Sequence, residues 1–229
     1  MHMTSRNPEP RPKLSDRFLL RISDGRLVDG LWIGVSNVTD SDSASILGRV
    51  KEALRTIRTY DPRRYGRLRR DLQRIWVRLQ IAGNTGLYNF DLGACELDPR
   101  YVLRADVTPS DMASVIVHEA THARLYGLGF SEPLRNRIEA ACRKQEHAFS
   151  EHLPQEAGDK IRDKLRRMDQ VREDFWSDAS HRQRRVTGVE EALQYLNVPR
   201  WSLPFLRLIR GVVRVIRALV RAIARLRAA

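Results

Sequence analysis

His118-Glu119-Ala120-Thr121-His122 lies inside the run from Thr108 to Tyr126, TPSDMASVIVHEATHARLY, and reading that run as a helix decides the rest. Thr108 suits an N-cap, Pro109 the first helical position, and Asp111 the positive end of the helix dipole. Met112, Val115, Ile116, Ala120 and Ala123 recur at helical spacing, and Gly127 and Gly129 can end the segment, so a helix of about 18 residues is predicted. On it, His118 and His122 share one face a turn apart, and both imidazoles can reach one Zn²⁺. Glu119 projects beside the first histidine, where a carboxylate can take a proton from a metal-bound water. The Val-Ile-Val run before His118 argues for a buried helix, in which histidines need partners.

A third protein ligand must come from elsewhere. In the metzincin pattern, Gly and His follow the second histidine at three and six positions. Leu125 and Leu128 stand there and exclude it. The common remaining choice is a glutamate on the next helix. Residues 132–152 (EPLRNRIEAACRKQEHAFSEH) read as that helix, with Pro133 in its first turn and a stripe of Leu134, Ile138, Ala141, Cys142, Gln145 and Phe149. Glu139 and Glu146 are seven apart and share a face, so either can point at a metal. Glu139 is favoured because Ile138, Ala140 and Ala141 flank it, which leaves Glu146 to orient a histidine. An ordinary surface pairing of Glu139 with Arg143 is the plainer alternative.

The rest of the chain reads as an α+β domain with a small antiparallel or mixed sheet, a backing helix and a C-terminal helical extension. Residues 1–13 are polar and Pro-rich and read as disordered; they carry no apolar signal core, so a cytoplasmic, reducing setting is expected. The catalytic domain is placed at 14–154. Phe18–Ile22 and Leu31–Val35 read as strands joined by an Asp24-Gly25 turn. Asp40 to Ser43 offer caps for a helix reaching about Thr59, which would back the sheet. Arg63 to Arg74 reads as a solvated basic helix in preference to a nucleic-acid contact. Ile75 to Ile81 alternates as a strand, Gly83 to Gly86 turns the chain, and Leu87–Leu92 and Ala94–Leu97 continue a meander. Cys95 and Cys142 are the only cysteines and read as buried apolar residues, without a disulfide framework. His147, His152 and His181 read as surface histidines.

The stretch from His118 to Glu139, preceded by that meander, resembles the core of the gluzincin metallopeptidases, especially their minimal single-domain forms, over about residues 42–150. The resemblance implies His118, His122 and Glu139 as zinc ligands, Glu119 as general base, and a peptide or protein substrate. It also implies that Leu87 to Leu97 forms an edge that takes extended substrate by strand addition. Arg143 departs from the pattern, since many gluzincins carry an acidic or small polar residue four after the ligand glutamate.

Residues 155–200 read as a helical extension, beginning with a surface helix whose stripe is Ile161, Leu165, Met168, Val171 and Phe175. The tail, residues 201–229, is different in kind. From Arg200 onward there are eight arginines and no acid, and without those charges the net +13 falls to +5. On a helix, Arg207, Arg210, Arg214, Arg217, Arg221 and Arg225 fall within an arc of about 80°, opposite an apolar half. Residues 203–229 are therefore expected to lie on an anionic membrane surface, and are too interrupted to span one. The alternative is an apolar face docked on the catalytic domain; nucleic acid is disfavoured because the stripe lacks aromatics. The sequence thus reads as a zinc-dependent hydrolase. Two other readings are a zinc-binding regulatory module, and a membrane-active protein acting through its tail.

Overall fold

The computed structural model describes residues 12–36, 40–80, 84–126 and 134–169, together with Gly188, Ala192 and Tyr195. The chain divides into two compact units, Met1–Gly188 and Val189–Ala229. In the second unit Ala192 and Tyr195 are helical. The arginine tail, His181, Gly127, Gly129 and Pro133 lie outside the described residues.

The first unit is α+β. Its mixed five-stranded sheet comprises β1 (Asp24–Val28), β2 (Leu31–Val35), β3 (Arg74–Val77), β4 (Gly86–Asn89) and β5 (Ala94–Leu97), in the order β1-β2-β3-β5-β4. The outer pairs β1/β2 and β4/β5 are antiparallel, and the inner pairs β2/β3 and β3/β5 are parallel. Seven α-helices accompany it among the described residues: α1 (Leu14–Ile22), α2 (Asp40–Tyr60), α3 (Pro62–Asp71), α4 (Pro99–Val102), α5 (Pro109–Tyr126), α6 (Arg135–Ser150) and α7 (Gln155–Asp169). No helix there is long and apolar enough to cross a membrane.

Period-two alternation places the core. Leu31, Ile33 and Val35 of β2, Ile75 and Val77 of β3, and Cys95 and Leu97 of β5 bury one sheet face. They meet Ile46, Val50, Ala53, Leu54 and Ile57 of α2 and Met112, Val115 and Ile116 of α5. The other face carries Trp76 and Ala94, with Trp32 partly buried, covered by Leu19 and Leu20 of α1. Here α1 is pinned twice by polar contacts: Trp76 Nε1 donates to Ser23 Oγ at 3.1 Å, and Arg78 Nη1 to Asp16 Oδ1 at 3.0 Å.

The expected strand at Phe18–Ile22 and turn at Asp24-Gly25 are corrected. Phe18–Ile22 belongs to α1, and Asp24-Gly25 opens strand β1. The turn falls one Asp-Gly dipeptide later. Val28 pairs with Leu31, leaving Asp29 (φ 50°) and Gly30 (φ 82°) as a two-residue loop with both φ positive. That is the geometry whose twist suits a hairpin. Asp29 is held there by Tyr65 Oη, which donates at 2.7 Å, and Arg58 Nη1 at 3.0 Å. A second correction is smaller: Phe90–Leu92 is a 3₁₀ turn and not strand.

Gly30→Val should therefore cost about 1 kcal/mol or more, since a β-branched residue is strained at positive φ. The urea midpoint should fall with an unchanged m-value; an unshifted midpoint would mean the hairpin closes some other way.

Candidate metal centre

α5 begins as its sequence demands. Thr108 Oγ1 accepts from the Asp111 N–H at 3.2 Å, while the Asp111 carboxylate accepts from the Thr108 N–H and hydroxyl at 2.9 and 2.7 Å. Lys160 of α7 adds a 2.7 Å contact to Asp111. Burial works against the Asp111 charge, but the bonds from Lys160 and Thr108 outweigh it and hold its pKa below the ordinary carboxylate value. Past this cap the helix is buried on nearly all sides, with Ile116 against the sheet. One strip faces α6 and holds Ser114, His118 and His122.

Across from that strip α6 presents Glu139, Cys142 and Glu146, at spacings of three and four. Glu146 is buried and makes two short contacts: Ser114 Oγ donates to Oε2 at 2.6 Å, and His118 Nδ1 lies 2.6 Å from Oε1. Nδ1 of His118 is thus taken up by Glu146, and Nε2 faces away from it. That Nε2 lies 3.1 Å from Nε2 of His122. Both nitrogens also lie 3.4 Å from the Glu139 carboxylate, His118 from Oε2 and His122 from Oε1. Three ligand-type groups thus converge with near-equal separations.

His118, His122 and Cys142 form a group that could hold a metal ion, their ligand atoms lying within 4.8 Å of one another. Cys142 was read from sequence as an apolar filler. What marks it is position, three residues after Glu139 and four before Glu146. Ser114 carries no motif either; its hydroxyl, four residues before His118, matters through its bond to Glu146. Cys95, also buried and free, lies in the sheet core.

The electrostatics follow from three carboxylates in one buried space. Burial penalises the His118 imidazolium, yet the bonds to Glu139 and Glu146 prevail and raise its pKa to about 10. Burial, with His118 charged beside it, lowers His122 to about 4 and keeps that ring neutral. Glu119 is pushed up to about 7 by burial, with the charges of Glu139 and Glu146 adding to it. For Glu139, burial is overcome by the bond from His118 and the charges of His122, His118 and Arg143, so its pKa is lowered. Burial and the same three carboxylates drive the Cys142 thiol well above its ordinary value.

Glu119 lies on the sheet side of the cluster, within electrostatic reach of His118, Glu139 and Glu146, and the backbone of β4 hydrogen-bonds it at Tyr88. Close approach of that strand needs Gly86. A Cβ on it would stand 2.6 Å from Val115 Cγ1 and 3.1 Å from Glu119 Oε1. His147 and His152 are exposed, beside Glu151 at 3.4 Å and Asp61 at 3.8 Å, and are not part of the cluster. Comparison with protein-family models, curated proteins and solved structures returned no match.

Val115 is β-branched and buried, so it cannot swing aside cheaply. Gly86→Ala should destabilise the fold by about 1–3 kcal/mol through overpacking. Chemical denaturation checks this; a change below about 0.5 kcal/mol would show that β4 can lift from α5 at little cost.

Proposed function

We propose that this chain is a zinc-dependent peptidase of the gluzincin type, with His118, His122 and Glu139 as ligands, Glu119 as general base and Glu146 orienting His118. One observation carries the reading. Nε2 of His118 and Nε2 of His122 are 3.1 Å apart, and each lies 3.4 Å from one oxygen of the Glu139 carboxylate, His118 from Oε2 and His122 from Oε1. Ligands held about 2.0–2.1 Å from a tetrahedral zinc stand about 3.3 Å from one another. The donor set also fits: His122 is held neutral and Glu139 ionised, the states that bind zinc, and a cation would take the place of the proton that the neighbouring carboxylates hold on His118.

Zinc in such a site polarises a scissile carbonyl and brings the pKa of its water toward neutrality. The chain's own residues would do the rest. Glu119 takes a proton at its carboxylate and returns it to the leaving amine. Glu146 holds Nδ1 of His118, which fixes the ring and leaves Nε2 as the nitrogen toward the metal; binding would release the proton that the charged ring otherwise carries there. Among the described residues β4 is an edge strand of the sheet beside Glu119, and an extended peptide can add to it as a further strand.

A second reading has its own observation, the grouping of Cys142 with the two histidines. A thiolate would then replace Glu139. Glu139 is preferred because it is already ionised, whereas the Cys142 thiol would have to surrender a proton that its surroundings hold firmly.

Zinc analysis of purified variants separates the two. His118→Ala or His122→Ala should abolish stoichiometric zinc, Glu139→Ala should weaken it strongly, and Cys142→Ala should retain it. Glu146→Ala should lower affinity by about 10–100-fold, as loss of a histidine's partner does. Retention in Glu139→Ala with loss in Cys142→Ala would transfer the ligand role to the cysteine, and cobalt-substituted protein would then show thiolate charge-transfer absorption.

Glu119→Gln should keep zinc and fold while hydrolysis of a mixed peptide substrate falls about a hundredfold or more. Equal rates in the two proteins would remove Glu119 from the chemistry. A wild-type chain that binds zinc and cleaves no peptide would favour the regulatory module.

A further inference from the structure

We infer that α1, with the adjoining strand β1, is a docking surface for an anionic phospholipid bilayer. The inference rests on the outer side of the sheet and is independent of the metal centre.

α1 has no buried residue although it packs on the sheet. Its inner side, with Asp16, Leu19 and Leu20, makes the contacts to Arg78 and the Trp76 cluster. Its outer side is apolar. Leu14 is 82% exposed, Phe18 62% and Ile22 62%, and they follow at i, i+4 and i+8. Leu27 of β1 is 73% exposed. Leu27 pairs with Trp32, which belongs to the cluster under α1, so it stands on the same face of the sheet. Scattered exposed apolar residues need no explanation, but three large ones in one stripe, with a fourth on the same face of the sheet, do.

Cations border the stripe. Lys13, Arg17 and Arg21 are exposed and have no ion-pair partner among the described residues. At 100° per residue they cover an arc of about 80° adjoining the arc of Leu14, Phe18 and Ile22. An apolar stripe edged by unpaired cations is the chemistry of a helix lying in a lipid interface, with the apolar side chains among acyl groups and the cations at phosphates. The same chemistry recurs in the arginine tail at the far end of the sequence. A second copy of the chain fits less well, because it would bring the same three cations, on a chain of net +13, against the first. The contacts of Ser23 and Asp16 also hold the helix ready-made, so docking need not order it.

The test uses the full chain carrying Leu14→Cys labelled with an environment-sensitive fluorophore; Cys95 and Cys142 are buried and should stay unlabelled. Vesicles of equimolar phosphatidylglycerol and phosphatidylcholine should blue-shift the label, vesicles of phosphatidylcholine alone should not, and high salt should reverse the shift. Phe18→Glu with Ile22→Glu should cut the lipid-dependent shift about tenfold or more at fixed lipid, while circular dichroism stays as in the parent. An unshifted label on protein that pellets with the vesicles would overturn the inference and assign docking to the tail. A label shifted without lipid, on a particle of dimer mass, would overturn it in favour of a second copy. Should the double variant misfold, the shift of the singly labelled chain decides alone.

Discussion

Two carboxylates and two imidazoles share the space between α5 and α6, and the fold must keep every one of them partnered. The partners form a ladder. Ser114 and His118 both reach Glu146, and His118 and His122 both face Glu139. Going up α5 by fours is going down α6 by seven, so the two helices run antiparallel in one register. A slip of one turn would bury a glutamate against apolar side chains and leave an imidazole unpaired, each a cost of several kcal/mol. Such a ladder is a poor source of stability, since an apolar seam of equal volume would serve as well or better. Its presence is best accounted for by what the groups do together.

The sheet supplies the rigidity that this seam lacks. α5 lies between the sheet and α6, and its stiff apolar residues, Val115 and Ile116, belong to the core that it shares with the sheet. That fixes the rotation of α5 about its own axis. His118 and His122 then face α6, while Glu119, one residue along, turns about 100° away to meet β4. The two roles proposed for neighbouring residues, holding a metal and moving a proton, would thus be separated by helical geometry. Gly86 completes the arrangement by letting the edge strand pass within contact of the Glu119 carboxylate.

Local signals in the sequence located α5 and α2 almost to the residue, because caps and a 3.6-residue period both act within one segment. Thr108, Pro109 and Asp111 marked the start of α5 before any packing was known. The first hairpin was misplaced because the chain has two Asp-Gly dipeptides, at 24–25 and 29–30, and either can turn. The choice between them depends on whether Phe18–Ile22 is a strand. Five residues with four apolar cannot settle that, and the deciding partner, the Trp76 face, lies more than fifty residues away. The glutamates show the same limit. Spacing placed Glu139 and Glu146 on one face of a helix, but only the register against α5 says which one meets both imidazoles. Cys142 and Ser114 carry no motif, so they emerge only when that seam is assembled.

The sheet order bears on how the two ends of the molecule relate. β1 and β4 are its opposite edges, with three strands between them. Leu27 of β1 stands on the sheet face that α1 covers, whereas Glu119 lies under β4 and the histidine seam on the far side of the sheet from α1. Docking through α1, as proposed, would therefore engage the sheet at the edge opposite β4. Hydrophobic surface and catalytic-type groups are kept apart by the thickness of one sheet. The same layer buries Trp76 on one face and Ile75 on the other, and so stands between the two proposed sites.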